Sequence, residues 1–183
     1  MTVLSTGRLI LRRWRESDRE PFAKINSDPR VMEFLPKALS REESDLFIDR
    51  IEAHFKQHKF GLFAAELRAD HSFIGYIGLS VPSFVAAFTP CVEIGWRISG
   101  DRWGQGLATE GALEVLGFAF GDLRLESLVS FTVPGNVRSL RVMEKIGMNR
   151  DPDRDFEHPN LPKGHPLSGH LLYRMRRLDW TNR

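Results

Sequence analysis

One stretch constrains this chain more than any other: Trp103-Gly104-Gln105-Gly106-Leu107-Ala108-Thr109-Glu110. An alternating strand pattern, Cys91 to Ser99, ends just before it, and an apolar run at helical spacing, Leu107 to Phe120, follows. Strand, glycine turn and helix start in direct succession leave few options. Glycine lets the main chain turn N–H groups toward an anion with no Cβ in the way. The first helical turn adds N–H groups that lack intrahelical partners, backed by the positive end of the helix dipole. Such a turn is either a tight connection into a buried helix or a cradle for a pyrophosphate, that of a nucleotide or of coenzyme A. No lysine follows the glycines in a Gly-Lys-Ser/Thr pattern, which argues against a nucleotide-phosphate binder.

The remaining chain supplies the layers around this turn. Arg8 to Trp14 alternates as a strand, and Ser17-Asp18-Arg19-Glu20 predicts a capping box for a short helix that stops near Asp28-Pro29. Val31, Met32, Phe34 and Leu35 give a second short helical piece. Ser40 with Glu43 repeats the capping signal, for a helix whose apolar face is Leu46, Phe47, Ile51 and Phe55. Phe60–Leu67 and Ser72–Val81 predict a hairpin, and Gly75 and Gly78 inside it predict a bulge or a close backbone approach. Gly121 is placed to end the helix after the cradle. Leu125–Val133 is a strand, Asn136–Ile146 a helix closed by Gly147, residues 149–169 an irregular proline-rich stretch, and His170–Arg177 the last strand. The order β, helices, β-hairpin, β, helix, β, helix, β predicts one mixed α/β domain over residues 1–183, with helices on both faces of a sheet.

Composition then removes whole classes of function. A net charge of +2 gives no electrostatic case for a nucleic-acid binder. A single cysteine excludes an internal disulfide framework and suits a reducing, cytoplasmic setting. No run of eighteen apolar residues is present to cross a membrane, and the first eight residues lack a signal-peptide layout.

The Gly-x-Gly-x-Ala-Thr-Glu run, the preceding Glu93-Ile94-Gly95-Trp96 strand and the later Asn136-Val137-Arg138-Ser139 resemble the GNAT superfamily of acyl-CoA N-acetyltransferases. Within it the chain looks most like the Rim-type branch, the ribosomal-protein N-terminal acetyltransferases. The resemblance implies a mixed, mostly antiparallel sheet whose fourth and fifth strands splay apart, with acetyl-CoA as co-substrate and the thioester in the gap. It implies that Trp103, Gly104, Gln105, Gly106, Leu107, Ala108 and Thr109 hold the cofactor, chiefly through main-chain amides, and that Asn136 contacts it. It also implies an amine acceptor, a protein N-terminus or a small molecule, bound on the side built by the early helices. Phe34, Leu35, Phe47 and Ile51 are candidates to line that side. The resemblance gives Ser139 the role of acid toward the departing sulfur, since neither Tyr76 nor Tyr173 stands where most of the superfamily places a tyrosine acid.

Glu93 shares a strand face with Cys91, Gly95 and Arg97, which makes it the candidate base, with an ion pair to Arg97 as the alternative. The oxyanion is assigned to a backbone N–H near Arg97 or Ile98. Direct transfer in a ternary complex follows. Rival readings are a small-molecule acetyltransferase with the same donor site and a catalytically silent acyl-CoA-binding module. No metal is expected: His54 and His58 at i, i+4 lack a third ligand, and His158, His165 and His170 belong to a loop expected across the acceptor cleft. Cys91 reads as a small buried apolar residue. A homodimer is compatible with the chain but nothing in it specifies one.

Overall fold

The computed structural model describes residues 3–182. Two short strands, β1 (Leu4–Ser5) and β2 (Leu9–Arg12), precede three helices, α1 (Arg19–Ser27), α2 (Pro29–Met32) and α3 (Arg41–His58). The hairpin β3 (Leu62–Leu67) and β4 (Phe73–Ser80) follows, then β5 (Glu93–Ile98), α4 (Leu107–Gly121), β6 (Ser127–Thr132) and α5 (Val137–Lys145). The chain ends with β7 (Asn149–Arg150), β8 (Phe156–Glu157), β9 (Gly169–Arg176) and α6 (Arg177–Thr181). The strands join in the order β1-β2-β3-β4-β5-β6-β9-β7, with β8 also on β9. Every pairing is antiparallel except β5–β6. The sheet is therefore mixed and mostly antiparallel, as expected.

Each face of the sheet carries its own apolar layer. On one face, Phe22 of α1 and Ile48 of α3 pack on Tyr76 of β4. On the other, α4 lies so close that a Cβ on Gly111 would stand 2.4 Å from the end of Ile77. The small residues Ala112, Val115 and Ala119 of α4 are fully buried there, together with Leu9 and Leu11 of β2. This small-residue stripe lets the helix axis approach the sheet.

Ser40 and Glu43 form the expected reciprocal cap at the start of α3. Ser17 does not cap α1. The sequence Glu16–Asp18 makes a 3₁₀ turn instead, and Asp18 is buried under Arg12, whose Nη1 and Nη2 donate to its two oxygens at 2.7 and 2.9 Å. A buried guanidinium needs a carboxylate more than a helix end needs a hydroxyl, so the ion pair fixes the local geometry. Gly121 lies inside α4 rather than beyond it. Arg124, at φ 52°, takes the left-handed position, and Leu125 N–H returns to the Ala119 carbonyl.

Both glycines of the hairpin are used. The β3–β4 register shifts between Ala65 and Glu66, opposite Gly75, which has φ 131°. A Cβ on Gly78 would stand 2.3 Å from the Gly61 carbonyl oxygen and 2.7 Å from Leu62 Cα, both backbone atoms that cannot rotate away. Gly78→Ala is therefore expected to destabilise the fold by about 3 kcal/mol, the upper end of overpacking costs, read as a lower urea midpoint at unchanged m-value.

The feature that positions the site is the β5–β6 junction. These parallel strands share one bridge, Glu93 with Val129, marked by the Val129 N–H on the Val92 carbonyl at 3.0 Å. Beyond it the two strands diverge. Pairing on the β4 side continues to the end of β5. The Ser99 N–H bonds to the Ile74 carbonyl at 2.9 Å, which sets the alternation along that edge. Arg97 then points its N–H toward β4, while Trp96 and Ile98 point theirs into the gap.

Candidate active site

The gap opens into one continuous cavity of about 840 Å³. Its walls include Glu93, Gly95 and Arg97 of β5, Ser130 and Thr132 of β6, the start of α4, and Ser139 of α5. Glu93, Trp103, Gly104, Gly106, Leu107, Ala108, Thr109, Asn136 and Ser139, chosen from sequence alone, thus line a single space. Gln105 does not line it; its side chain folds back to within 3.4 Å of the Asp101 carbonyl.

The glycine turn is shaped as a cradle. Gly104 and Gly106 have φ 74° and 77°, a conformation that L side chains rarely adopt. Gly106 stands at the N-cap of α4 and offers no side-chain cap. The helix's first main-chain bond joins Glu110 N–H to the Gly106 carbonyl, so the amides of Leu107, Ala108 and Thr109 have no intrahelical acceptor. Space remains above the turn, for a Cβ on Gly104 would meet no atom within 4 Å. The pyrophosphate of coenzyme A fits this donor set: unclaimed amides, left-handed glycines and a helix N-terminus.

Arg8 buttresses the turn from outside. Its Nη1 donates to the Gln105 carbonyl at 2.9 Å, and its Nε donates to Glu110 at 2.6 Å. Glu110 is the acid of the Gly-x-Gly-x-Ala-Thr-Glu run, and it ties the β1–β2 turn to α4 through Thr6 and Arg8 rather than facing the cavity. Trp103 pins the end of β5 by donating Nε1–H to the Ile98 carbonyl at 2.9 Å. Its ring carries the Arg138 guanidinium 4.1 Å above it, and Arg138 also pairs with Glu33 at 2.9 Å. The Glu33 partner lies 105 residues away in the chain, so no local pattern announces this pair.

Glu93 sits half-buried where the strands part. Its one hydrogen bond comes from the Ser80 hydroxyl, 3.2 Å from Oε2. Burial pushes its pKa up to about 7, and the Ser80 bond only partly offsets this. No ion pair to Arg97 forms: the Arg97 Nη1 donates instead to Asn26 Oδ1 at 2.6 Å. Glu93 is thus a carboxylate matched to proton transfer near neutral pH. Asn136 Oδ1 accepts the Ser139 N–H at 3.2 Å and its Nδ2 donates to Thr132 Oγ1 at 3.0 Å, so it caps α5 and fastens it to β6. Among the described residues the Asn136 Nδ2 has no acceptor besides Thr132.

The other sequence candidates sort clearly. Phe34, Leu35 and Phe47 line the cavity, whereas Ile51 is core. Cys91 is half-buried against the cluster of Phe88, Val129 and Leu172, and burial pushes its thiol up to about 11. His54 bridges main chain, with Nδ1 at 2.9 Å from the Phe60 carbonyl and Nε2 accepting the Val81 N–H at 3.0 Å. Both nitrogens are committed, so His54 is a neutral structural latch. Residues 158–170 fold over one end of the cavity, bringing His158, Asn160, Leu161, Leu167 and His170 to its wall. The His158 and His170 rings, 5.2 Å apart, pack with Phe131 and Phe156. Among the described residues no group of three or more His, Cys, Asp or Glu could hold a metal ion. No helix of the described residues is long and apolar enough to cross a membrane.

Comparison with known proteins agrees with this geometry. The family model of the acetyltransferase (GNAT) domain matches residues 8–149. The chain is 26% identical over 179 residues to the uncharacterized N-acetyltransferase YnaD of Bacillus subtilis, covering 97% of this chain and 99% of that one. It is 28% identical to the FsC-acetyl coenzyme A-N(2)-transacetylase of Aspergillus fumigatus, over 97% of this chain and 77% of that one. A GNAT-family acetyltransferase from Bacillus anthracis superimposes with a TM-score of 0.80 at 24% identity, over 97% and 99% of the two chains. Family members use acetyl-CoA as co-substrate, and the unclaimed amides at the start of α4 are suited to it. A cradle, a splayed sheet and a family match over most of the chain lead to one assignment: this chain belongs to the GNAT acetyltransferases and is an N-acetyltransferase.

Proposed function

We propose that residues 1–183 act as one domain that transfers acetyl directly from acetyl-CoA to an α-amine, with Glu93 as base. The observation that carries this is Glu93 itself, the one carboxylate on the cavity wall among the described residues, placed where β5 leaves β6 and tuned to about 7. An α-ammonium has a pKa of about 8, against about 10.4 for a lysine side chain, so a base near 7 is better matched to the first. The Rim-type branch takes protein N-termini, and a small α-amine has the same chemistry. Both acceptors suit Glu93 equally.

The steps follow from the walls. Amides of Gly106, Leu107, Ala108 and Thr109 hold the pyrophosphate, and Gln105 contributes its amide alone. Glu93 takes the amine proton, directly or through one water. The amine nitrogen attacks the thioester carbonyl, whose developing oxyanion meets the N–H of Trp96 or Ile98 in the gap. Arg97, named from sequence as one option, is excluded from that role because its N–H faces β4. The C–S bond breaks as the Ser139 hydroxyl passes its proton to the departing thiolate and regains one, directly or through water, from the nitrogen of the collapsing intermediate, which leaves a neutral amide and a free thiol. Asn136 keeps Ser139 in place by capping its helix. The site is read as belonging to the cytoplasm, where acetyl-CoA is available.

Initial-rate kinetics test this. Double-reciprocal plots against acetyl-CoA and amine are expected to intersect, as direct transfer requires. Parallel lines would mean an acetyl-enzyme and would overturn the scheme. Ser139→Ala is expected to slow turnover about tenfold with little change in acetyl-CoA affinity, less than the hundredfold or more that a general acid usually contributes, because water can replace a hydroxyl. Binding of acetyl-CoA with no transfer to any amine would favour a silent binding module instead.

A further inference from the structure

Arg97 stands two strand positions beyond Gly95 and four beyond Glu93, on the same face of β5. That face looks toward α1 and α3, away from the cradle. The guanidinium is firmly placed. Its Nη1 donates to Asn26 Oδ1 at 2.6 Å, and Asn26 Nδ2 donates in turn to the Ser44 hydroxyl at 2.9 Å. Asn26 and Ser44 are fully buried. The guanidinium carbon lies 5.5 Å from the ring centres of both Phe47 and Tyr76.

All of these partners are neutral. They orient the charge without cancelling it. Among the described residues no carboxylate pairs with Arg97, and none pairs with Arg50, which lines the same cavity 5.6 Å from the Phe47 ring. Arg138, by contrast, has Glu33. Holding a half-buried cation rigidly with no counter-ion is unfavourable unless a ligand supplies the anion. The cradle cannot be the reason, because Arg97 points to the opposite layer from α4.

We propose that the acceptor carries its own carboxylate, bound by Arg97 with Arg50 nearby, while its amine reaches Glu93. The inference rests on the acetyl-transfer reading and narrows its acceptor to an amino-acid-like small molecule. Gly95 fits the arrangement, since it leaves the floor between base and cation bare. A Cβ there would meet nothing closer than Glu93 Oε1, at 3.8 Å. Phe34, Leu35 and Phe47 give the acceptor's carbon skeleton an apolar wall. A polyamine finds the wrong charge here, because among the described residues Glu93 is the one acid on the wall and it must accept a proton.

The test compares each amino carboxylate with its own primary amide: phenylalanine, leucine, 4-aminobutyrate and 6-aminohexanoate, with rates referred to free-amine concentration. The best acid is expected to exceed its amide about tenfold or more in kcat/KM, the worth of a charge-assisted hydrogen bond. In Arg97→Gln, which can still donate to Asn26, that ratio is expected to fall toward one. Arg97→Lys, which keeps the charge, is expected to retain part of it. Melting curves check that both variants fold. Amides or spermidine outpacing every acid would overturn the inference while leaving the transferase reading intact. So would a peptide amide outpacing them, which would point to a protein N-terminus, or an acid preference that survives Arg97→Gln. Failure to acetylate any amine, with acetyl-CoA still bound, would instead remove the transferase reading and this inference with it.

Discussion

Glu93→Gln is expected to lower kcat/KM for amine acetylation by about a hundredfold or more, the range for loss of a positioned general base. The pH profile separates this from a general disturbance. With the carboxyl pushed up to about 7, the wild-type rate rises with pH through that value as the base form appears. The variant loses that limb and keeps only the titration of the amine itself, near 8 for an α-amine. Stability moves in the other direction. A carboxyl whose pKa is higher folded than unfolded contributes fully below its unfolded pKa, and the contribution is lost as pH rises through the folded one. Glu93→Gln should therefore melt close to wild type near pH 4 and above wild type at pH 8. A variant less stable at both pH values, with its activity loss independent of pH, would make Glu93 a structural residue.

The second large effect concerns the cradle. Gly106→Glu is expected to abolish measurable acetyl-CoA binding by calorimetry, a loss of about a hundredfold or more. Two causes act together. At φ 77° any side chain is strained, at about 1–2 kcal/mol. The new carboxylate also stands beside the amides meant for a pyrophosphate, adding like-charge repulsion. Gly104→Ala isolates the first cause: it has φ 74° but open space around it, so it should weaken binding only by the backbone penalty, about tenfold. Equal binding by wild type and Gly106→Glu would move the donor site away from α4.

Much of this site was legible in the sequence because its donor half is local. Residues 103–109 are contiguous, and glycines at 104 and 106 announce a left-handed turn by themselves. The strand face shared by Glu93, Gly95 and Arg97 also follows from a period of two. The splay did not follow, because one bridge at Glu93 and Val129 is a relation between segments 36 positions apart. The acceptor half was obscure for the same reason. Arg97 acquires its meaning from Asn26, 71 residues away, and from the carboxylates that are not beside it. Ser17 shows a different failure: its capping pattern was real as a pattern, but Asp18 had a buried guanidinium to satisfy. Residues 149–169 carry no period, so the two short strands β7 and β8 that pair with β9 within them were not legible, and the place of the stretch over the cavity comes from Phe156 and His158 joining Phe84 and Phe131 in one aromatic cluster.

Arg138 is shared property. Its guanidinium lies on Trp103, beside the glycine turn, and its charge is held by Glu33, just past α2. Any displacement of that side chain by one bound molecule alters the wall met by the other. Thermodynamic linkage then fixes a relation that holds whatever the mechanism of the movement. The factor by which acetyl-CoA changes acceptor affinity equals the factor by which acceptor changes acetyl-CoA affinity. Acceptor affinity measured with and without bound acetyl-CoA, in wild type and in Arg138→Ala, reads that cross-talk as a single coupling free energy, which is expected to shrink in the variant.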